Sequence, residues 1–174
     1  MNRITAVRSP IRWEDVGFPK TPLFDDITIA TGTPGWSWSQ QSPELPIAVL
    51  DEVPAGEVVP GWGVDHVVVT TANLELTVAR LTEVGADLRR RTEVKCTPTA
   101  FLVCGTLVEV IEASPMDVHL YGVALETDED LDEVANRWRE AGWNAGKPHD
   151  AMQSGRRIFS VPDSNLAVMS RRQE

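Results

Sequence analysis

The 174-residue chain has few cysteines, few positive charges and no long apolar segments. Its two cysteines, Cys96 and Cys104, are too few for a disulfide framework, so we expect a reduced, cytoplasmic protein. No run approaches the roughly 18–20 apolar residues of a membrane helix, and no apolar signal region opens the chain. With 16 basic and 26 acidic residues, the net charge of −10 argues against nucleic acid and anionic membranes as partners.

Residues 1–62 form an N-terminal extension that is rich in proline and tryptophan. Strand-like runs at 26–29 and 47–50 flank a segment whose glycines and prolines force turns. The extension could be a surface arm whose aromatic residues shield apolar sheet. It could also be a lid in which Trp36, Trp38 and Trp62 line a substrate pocket, or a dimer contact.

The second part of the chain, residues 63–174, begins with a strand–helix pattern. A β-branched run at 64–70 is too short and too branched for a helix. The apolar spacing that follows predicts a helix over 74–84, with Asn73 as N-cap and Gly85 directly after it. Further strands are predicted near 87–95, 99–104 and 106–112.

The same order then occurs a second time. A strand is predicted at 119–127 and a helix at 131–141, with Asp130 as N-cap and Gly142 at its end. Three more strands are predicted at 143–145, 156–161 and 166–170. Because an internal repeat indicates repeated structural units, we predict an α+β fold. Two βαβββ modules, about 63–114 and 118–171, would form a cupped mixed sheet.

Strand alternation predicts which polar side chains share a face of this sheet. On the first strand of module one, His66 and Val68 should lie on the face opposite the helix. On its last strand, Leu107, Glu109 and Ile111 should share that face, so His66 and Glu109 can converge. The corresponding positions in the second module are predicted to be Gly122, Ala124 and Glu126, and Leu166, Val168 and Ser170.

Two chemical roles suit a histidine and a carboxylate that meet in an apolar cup. They could bind a divalent metal, or they could form an acid–base pair in which His66 carries the proton near neutral pH. Glu126 could add a third ligand or a base. The purely structural interpretation has His66 satisfied in the core, Glu109 paired with an arginine and Glu126 solvated at a strand end.

Several motifs in this order resemble the vicinal oxygen chelate superfamily, which includes glyoxalase I, extradiol dioxygenases, and the bleomycin and fosfomycin resistance proteins. The resemblance covers about residues 63–170, and Ser164 replaces the usual glycine of the closing motif. The matching segments are Asp65-His66-Val67-Val68-Val69 with Ala72-Asn73-Leu74, the segment 123–128, and the segment 156–166.

The resemblance implies a metal site only in part. Metal-dependent members bind through a residue on the first strand and a glutamate on the last strand of each module. His66 and Glu109 match this pair in module one, whereas Gly122 and Val168 stand at the predicted equivalents in module two and cannot bind a metal. Two of four protein ligands would remain, fewer than the three usual in catalytic sites.

The resemblance therefore implies an enzyme that acts on a small organic molecule in the cup. The chemistry would be of lyase, isomerase or dioxygenase type, with a divalent metal or with proton transfer by His66, Glu109 or Glu126. The pocket would include Val68, Leu107, Ile111 and Val168. The alternatives are a non-catalytic small-molecule-binding protein of the bleomycin-resistance type and a structural or interaction module. A homodimer is expected in every case.

Overall fold

The computed structural model describes residues 1–113 and 117–172. The predicted module boundary at residue 114 and the predicted domain end at residue 174 lie outside these residues. The two α-helices in the described part are α1 Leu74–Glu83 and α2 Leu131–Glu140. The strands are β1 Ile4–Ser9, β2 Pro22–Phe24, β3 Ile27–Thr31, β4 Gly35–Trp38, β5 Ala48–Val49, β6 Glu57–Val58, β7 Trp62–Thr71, β8 Asp87–Val94, β9 Thr97–Cys104, β10 Thr106–Glu112, β11 His119–Thr127, β12 His149–Asp150, β13 Arg157–Val161 and β14 Leu166–Ser170.

The eight strands from β7 onward form one mixed sheet in the order β12-β13-β14-β11-β7-β10-β9-β8. Each half of this order is one βαβββ module, and the modules join through the antiparallel pair β7–β11. Within each module the first and last strands pair in parallel, β7 with β10 and β11 with β14. The predicted α+β fold with two repeated modules is confirmed.

The helix boundaries follow from local signals in the sequence. The side chain of Asn73 accepts a hydrogen bond from the backbone of Leu76 at the start of α1, and Asp130 caps α2 in the same way. Gly85 and Gly142 have φ angles of 95° and 94° after the two helices, a conformation that favours glycine. Each helix has ten residues, and no helix in the described part of the chain could span a membrane.

The predicted strand at 143–145 is not a strand. Trp143 packs edge to face on Trp138 of α2, with ring centroids 5.2 Å apart, and Ala145 is buried. The apolar residues of this segment therefore reflect packing against the helix rather than pairing in the sheet. The strand of this region is the two-residue β12, which pairs with the start of β13.

The N-terminal extension forms a second sheet, in the order β5-β4-β1-β3-β2-β6. Its tryptophans do not line an open pocket: Trp36 and Trp38 are 0% and 8% exposed, and they pack against each other at 5.3 Å. Trp62 is also buried, and its ring stacks on Trp138 at 5.9 Å. Because large aromatic surfaces are stabilised by burial, these three residues belong to the hydrophobic core.

An aromatic cluster joins the N-terminal sheet to the helix side of the larger sheet. Phe18 packs on Trp62 of β7 at 4.9 Å and on Trp138 of α2 at 6.1 Å. Trp13 and Phe24 also pack on Phe18. The N-terminal sheet thus shares its core with the paired modules, on the face that carries the helices.

We expect Trp13→Ala to lower the free energy of unfolding by about 3–5 kcal/mol, the usual cost of truncating a buried tryptophan. Because Trp13 packs on Phe18, which contacts the larger sheet and α2, the variant should still unfold in one transition at lower urea concentration. Far-UV circular dichroism during urea titration measures this, with Met152→Ala, at a residue 82% exposed, as the control. Two separate transitions, or a decrease in the free energy of unfolding no larger than that of Met152→Ala, would contradict a shared core.

Candidate functional site

The face of the larger sheet opposite the helices is partly open, and we call it the open face. Across it, Glu109 of β10 lies opposite Val68 of β7 and Phe101 of β9, and His66 lies opposite Leu107. These five side chains are partly exposed. The alternate residues of the same strands are buried beneath the helices. This part of the open face therefore offers a mostly apolar surface around one histidine and one carboxylate.

His66 and Glu109 lie together on this face. The Nε2 atom of His66 is 3.3 Å from Oε2 of Glu109. Its other nitrogen, Nδ1, is 2.7 Å from Oδ2 of Asp65. The imidazole ring is thus held between two carboxylates, with Asp65 fixing its orientation and Glu109 at the edge that faces the open surface.

A β-bulge brings Asp65 beside His66. Ala124 of β11 lies opposite His66, but the next residue, Leu125, lies opposite Val64. Asp65 is therefore an extra residue on β7. Bulges bend a strand and redirect its side chains, so two consecutive residues, Asp65 and His66, can take part in one polar network.

Arg156 is the central cation of that network, and its side chain is 3% exposed. Its Nη1 donates to Oδ1 of Asp65 at 2.6 Å and to Gln153 at 2.7 Å. Its Nη2 donates to Oε2 of Glu126 at 3.0 Å, and its Nε donates to the carbonyl of Ser170 at 2.7 Å. All three nitrogens of the guanidinium are engaged, as a buried arginine requires.

Glu126 lies on the open face, where its carboxylate meets two arginines. Besides Arg156, Arg171 approaches its Oε1 to 3.4 Å. Arg171 also pairs with Asp25 at 3.1 Å and with Asp128 at 3.2 Å, which links this end of β11 to the turn between β2 and β3. The observed geometry places Glu126 in an ion-pair cluster, whereas the sequence left open a third ligand, a base or a solvated strand end.

The network shifts the pKa values of its members. Burial by itself would lower the pKa of His66, but its hydrogen bonds and charge interactions with Asp65 and Glu109 raise that pKa to about 9. Burial would raise the pKa of Asp65, yet the hydrogen bonds from His66 and Arg156 hold it below its usual value. Burial and the charge of Asp65 raise the pKa of Glu126. His66 is consequently an imidazolium at neutral pH.

The second module has a glycine where the first has His66. Thr71 and Thr127 end the first strands of the two modules, and each hydroxyl accepts from the backbone N–H two residues later, at 3.0 and 3.1 Å. Counting back five residues from each threonine makes Gly122 the equivalent of His66. A Cβ at Gly122 would overlap the carbonyl oxygen of Asn165, so no larger residue fits there.

The equivalent of Glu109 is Ala167 rather than Val168. Glu109 lies opposite Val68 on β7, and Ala167 lies opposite Ala124 on β11. Val68 and Ala124 are equivalent, because each lies three residues before the threonine that ends its strand. Val168 is fully buried on the helix side. The expectation that Val168 lines the pocket is therefore wrong by one residue, which in a strand exchanges the two faces.

These residues do not fit a complete chelate centre. His66 and Glu109 can each offer one donor, whereas Gly122 and Ala167 offer none. Within residues 1–113 and 117–172, no group of three or more histidine, cysteine or carboxylate side chains could hold a metal ion. The cation already present beside the neighbouring carboxylates, Asp65 and Glu126, is the guanidinium of Arg156.

A cavity of about 530 Å³ lies beside the network, and its lining includes Asp65, Leu107, Gln153 and Arg156. Leu107 belongs to the open face, so a small molecule there could approach the network from that side. A second cavity of the same volume lies at the start of α2, around 127–131. His66 and Glu109 line neither cavity. The second cavity also lacks Asp65, Leu107 and Arg156, which makes it the weaker candidate.

Sequence reasoning missed Asp65, Gln153, Arg156 and Arg171 as members of the site. Asp65 and Arg156 stand in the very motifs that carry the family resemblance. Strict alternation nevertheless places Asp65 on the face opposite to His66. Only the bulge, which depends on pairing with β11, reverses this assignment.

Comparison with protein-family models gave no match, and comparison with curated protein sequences gave none either. Solved structures do match. A methylmalonyl-CoA epimerase from Mycobacterium tuberculosis is 15% identical with a TM-score of 0.52, covering 64% of this chain and 89% of its own. A hypothetical protein from Bacillus halodurans is 14% identical with a TM-score of 0.53, covering 65% and 96%.

A third match is a variant of the methylmalonyl-CoA epimerase from Streptomyces coelicolor in complex with 2-nitronate-propionyl-CoA. It is 14% identical with a TM-score of 0.51, covering 63% of this chain and 97% of its own. Such low identities show a shared fold. The chain has the fold of the vicinal oxygen chelate superfamily, to which the methylmalonyl-CoA epimerases belong.

We expect Arg156→Met to lower the free energy of unfolding by about 3–5 kcal/mol at pH 7, because it removes the buried cation that Asp65 and Glu126 share. The loss of stability should become smaller toward pH 5, since the two carboxylates can then take up protons. Arg157→Met is the matched control: Arg157 pairs with Asp132 at the surface, where ion pairs contribute little. Equal losses for the two variants in urea unfolding would contradict a buried network.

The pKa of His66 predicts a stability loss in mild alkali. His66 binds its proton more tightly in the folded protein, so its contribution is complete below pH 6.5 and disappears as the pH rises through about 9. This difference in pKa corresponds to about 3 kcal/mol. The free energy of unfolding of the wild type and of His66→Gln can be measured in urea at pH 6, 7.5 and 9.5. The difference between the two proteins should decrease by that amount from pH 6 to pH 9.5. A constant gap would contradict the prediction.

Proposed function

We propose that this protein is an isomerase-type enzyme that moves a proton on a small carbonyl compound bound at the open face. The observation that carries the proposal is the pair formed by His66 Nε2 and Glu109 Oε2, 3.3 Å apart on a partly exposed apolar surface. An imidazolium next to a carboxylate supplies an acid and a base within reach of one substrate.

The two residues have distinct roles in this proposal. Glu109, as carboxylate, takes the proton from the carbon next to the carbonyl, and the electron pair of that C–H bond moves into the enolate. The Nε2–H of His66 donates to the enolate oxygen and so stabilises its charge. Return of the proton from Glu109 to the other side of the carbon, or to its neighbour, gives the isomer without any net change in oxidation.

Asp65 and Arg156 are positioning residues in this proposal. Asp65 accepts from His66 Nδ1 and keeps Nε2 directed toward Glu109, and Arg156 holds Asp65 through its shortest hydrogen bond. A preorganised donor needs no reorganisation when charge develops. Glu126, tied to Arg156 and Arg171, is a counter-ion here rather than a base.

The structural neighbours support proton transfer next to a carbonyl. Two of them are methylmalonyl-CoA epimerases, and one of these is bound to 2-nitronate-propionyl-CoA. Their names describe isomerisation of an acyl thioester. We therefore place acyl thioesters first among the carbonyl compounds to be tested.

Two alternatives have their own support. A metal-dependent version would use His66 and Glu109 as ligands, as the family resemblance implies, but the described residues supply no third ligand. Sequestration without catalysis is supported by the apolar, partly exposed side chains of Val68, Phe101 and Ile111. The homodimer and the cytoplasmic location stay predictions from the sequence.

Deuterium exchange tests the proposal directly. In D₂O, the protein should catalyse exchange of the α-proton of methylmalonyl-CoA or of other carbonyl compounds with acidic α-protons, followed by proton NMR. We expect Glu109→Gln and His66→Gln to lower the rate about 100-fold or more, the usual contribution of a general acid or base. Glu93→Gln, at an exposed carboxylate of β8, should leave the rate unchanged.

The same assay separates the alternatives. Exchange that is lost with a chelator and restored by one divalent cation would favour the metal-dependent version. Saturable binding with no exchange for any compound would favour sequestration. Exchange that is insensitive to both substitutions would refute the assigned roles of His66 and Glu109.

A further inference from the structure

Three consecutive arginines on β8 differ in their surroundings. Arg89 forms an ion pair with Asp87 at 3.0 Å, and Arg91 forms one with Glu75 of α1. Arg90, between them, forms no ion pair with any residue in the described part of the chain. Its side chain is exposed at the edge of the larger sheet.

A second β-bulge determines where Arg90 lies. Leu88 of β8 is opposite Leu102 of β9, and the next pair joins Arg90 to Phe101, so that Arg89 is the extra residue. Regular alternation would give Leu88 and Arg90 the same face. Leu88 packs against the core on the helix side, so the bulge is what brings Arg90 to the open face.

Arg90 begins a row that crosses the open face toward the candidate catalytic pair. The paired residues in this row are Arg90 on β8, Phe101 on β9, Glu109 on β10 and Val68 on β7. Neighbouring strands are about 4.8 Å apart, which places the backbone of Arg90 about 10 Å from that of Glu109. Phe101 supplies an apolar surface between the two charged groups.

We propose that Arg90 is an anion-binding residue of the open face. The ligand class that this row fits is an organic anion: its apolar body lies on Phe101, and its carboxylate, sulfonate or phosphate group is bound by the guanidinium. The inference rests on the proposed function in one respect: both place the ligand on the open face. It adds that the substrate carries a negative group a few bonds away from the reacting carbon.

The charge of the whole molecule supports a dedicated residue for this purpose. A net charge of −10 repels anions in general, so an anionic ligand needs a local cation. The buried Arg156 is committed to carboxylates of the protein, as are Arg89 and Arg91. Arg90 has its donors available at the rim of the surface that holds Glu109.

Two matched probes test the inference by fluorescence titration. The probes are 8-anilinonaphthalene-1-sulfonate and its neutral analogue N-phenyl-1-naphthylamine, which share the apolar rings and differ in the sulfonate. We expect Arg90→Gln to weaken binding of the sulfonate about fivefold, the upper range for an exposed ion pair, and to leave the neutral probe unchanged. Arg89→Gln and Arg91→Gln should change neither, and Phe101→Ala should weaken both.

Several outcomes would overturn the inference: no saturable sulfonate binding, equal effects of Arg90→Gln and Arg89→Gln, or equal losses for both probes in Arg90→Gln. The result is distinguishable from a failure of the proposed function. If Arg90→Gln has no effect while proton exchange depends on His66 and Glu109, only the role of Arg90 fails. If the sulfonate effect is found but no compound exchanges its proton, the anion site stands and the enzyme activity fails.

Discussion

The guanidinium of Arg156 is almost completely buried, and it forms ion pairs with Asp65 and Glu126. The arrangement of the candidate site depends on this interaction. Without Arg156, the buried carboxylate of Asp65 and the half-buried carboxylate of Glu126 would repel each other, which favours uptake of a proton. With it, Asp65 remains charged, orients His66 and keeps that side chain an imidazolium. The charge of His66 at the open face therefore depends in part on a charge supplied by the other module.

The two modules share a backbone plan and differ in what they contribute. Module one supplies His66 and Glu109 to the open face. Module two has Gly122 and Ala167 at the equivalent positions, and the carbonyl of Asn165 occupies the space that a side chain at Gly122 would need. Its contribution is instead the ion-pair cluster of Arg156, Glu126 and Arg171. The repeat has thus become asymmetric, with acid–base groups in one half and fixed charges in the other.

Two β-bulges, one at Asp65 and one at Arg89, bring two further charged side chains, Asp65 and Arg90, to the open face. Each inserts one residue into a strand and so exchanges the faces of the residues beyond it. The first places Asp65 and His66 in one network, and the second brings Arg90 beside Phe101. The bulges thus add Asp65 and Arg90 to the polar residues that regular alternation places on this face, which are His66, Glu109 and Glu126.

The sequence by itself determined the repeated modules, the caps at Asn73 and Asp130 and the meeting of His66 with Glu109. These features depend on local periodicity and on the spacing of similar segments, both of which are visible in one chain. Only the tertiary structure decided the role of Arg156 and the burial of Trp36, Trp38 and Trp62. It also decided that Ala167, rather than Val168, lies on the open face. Bulges, strand registers and the packing of one sheet on another arise from contacts between residues far apart in the chain, which no local pattern specifies.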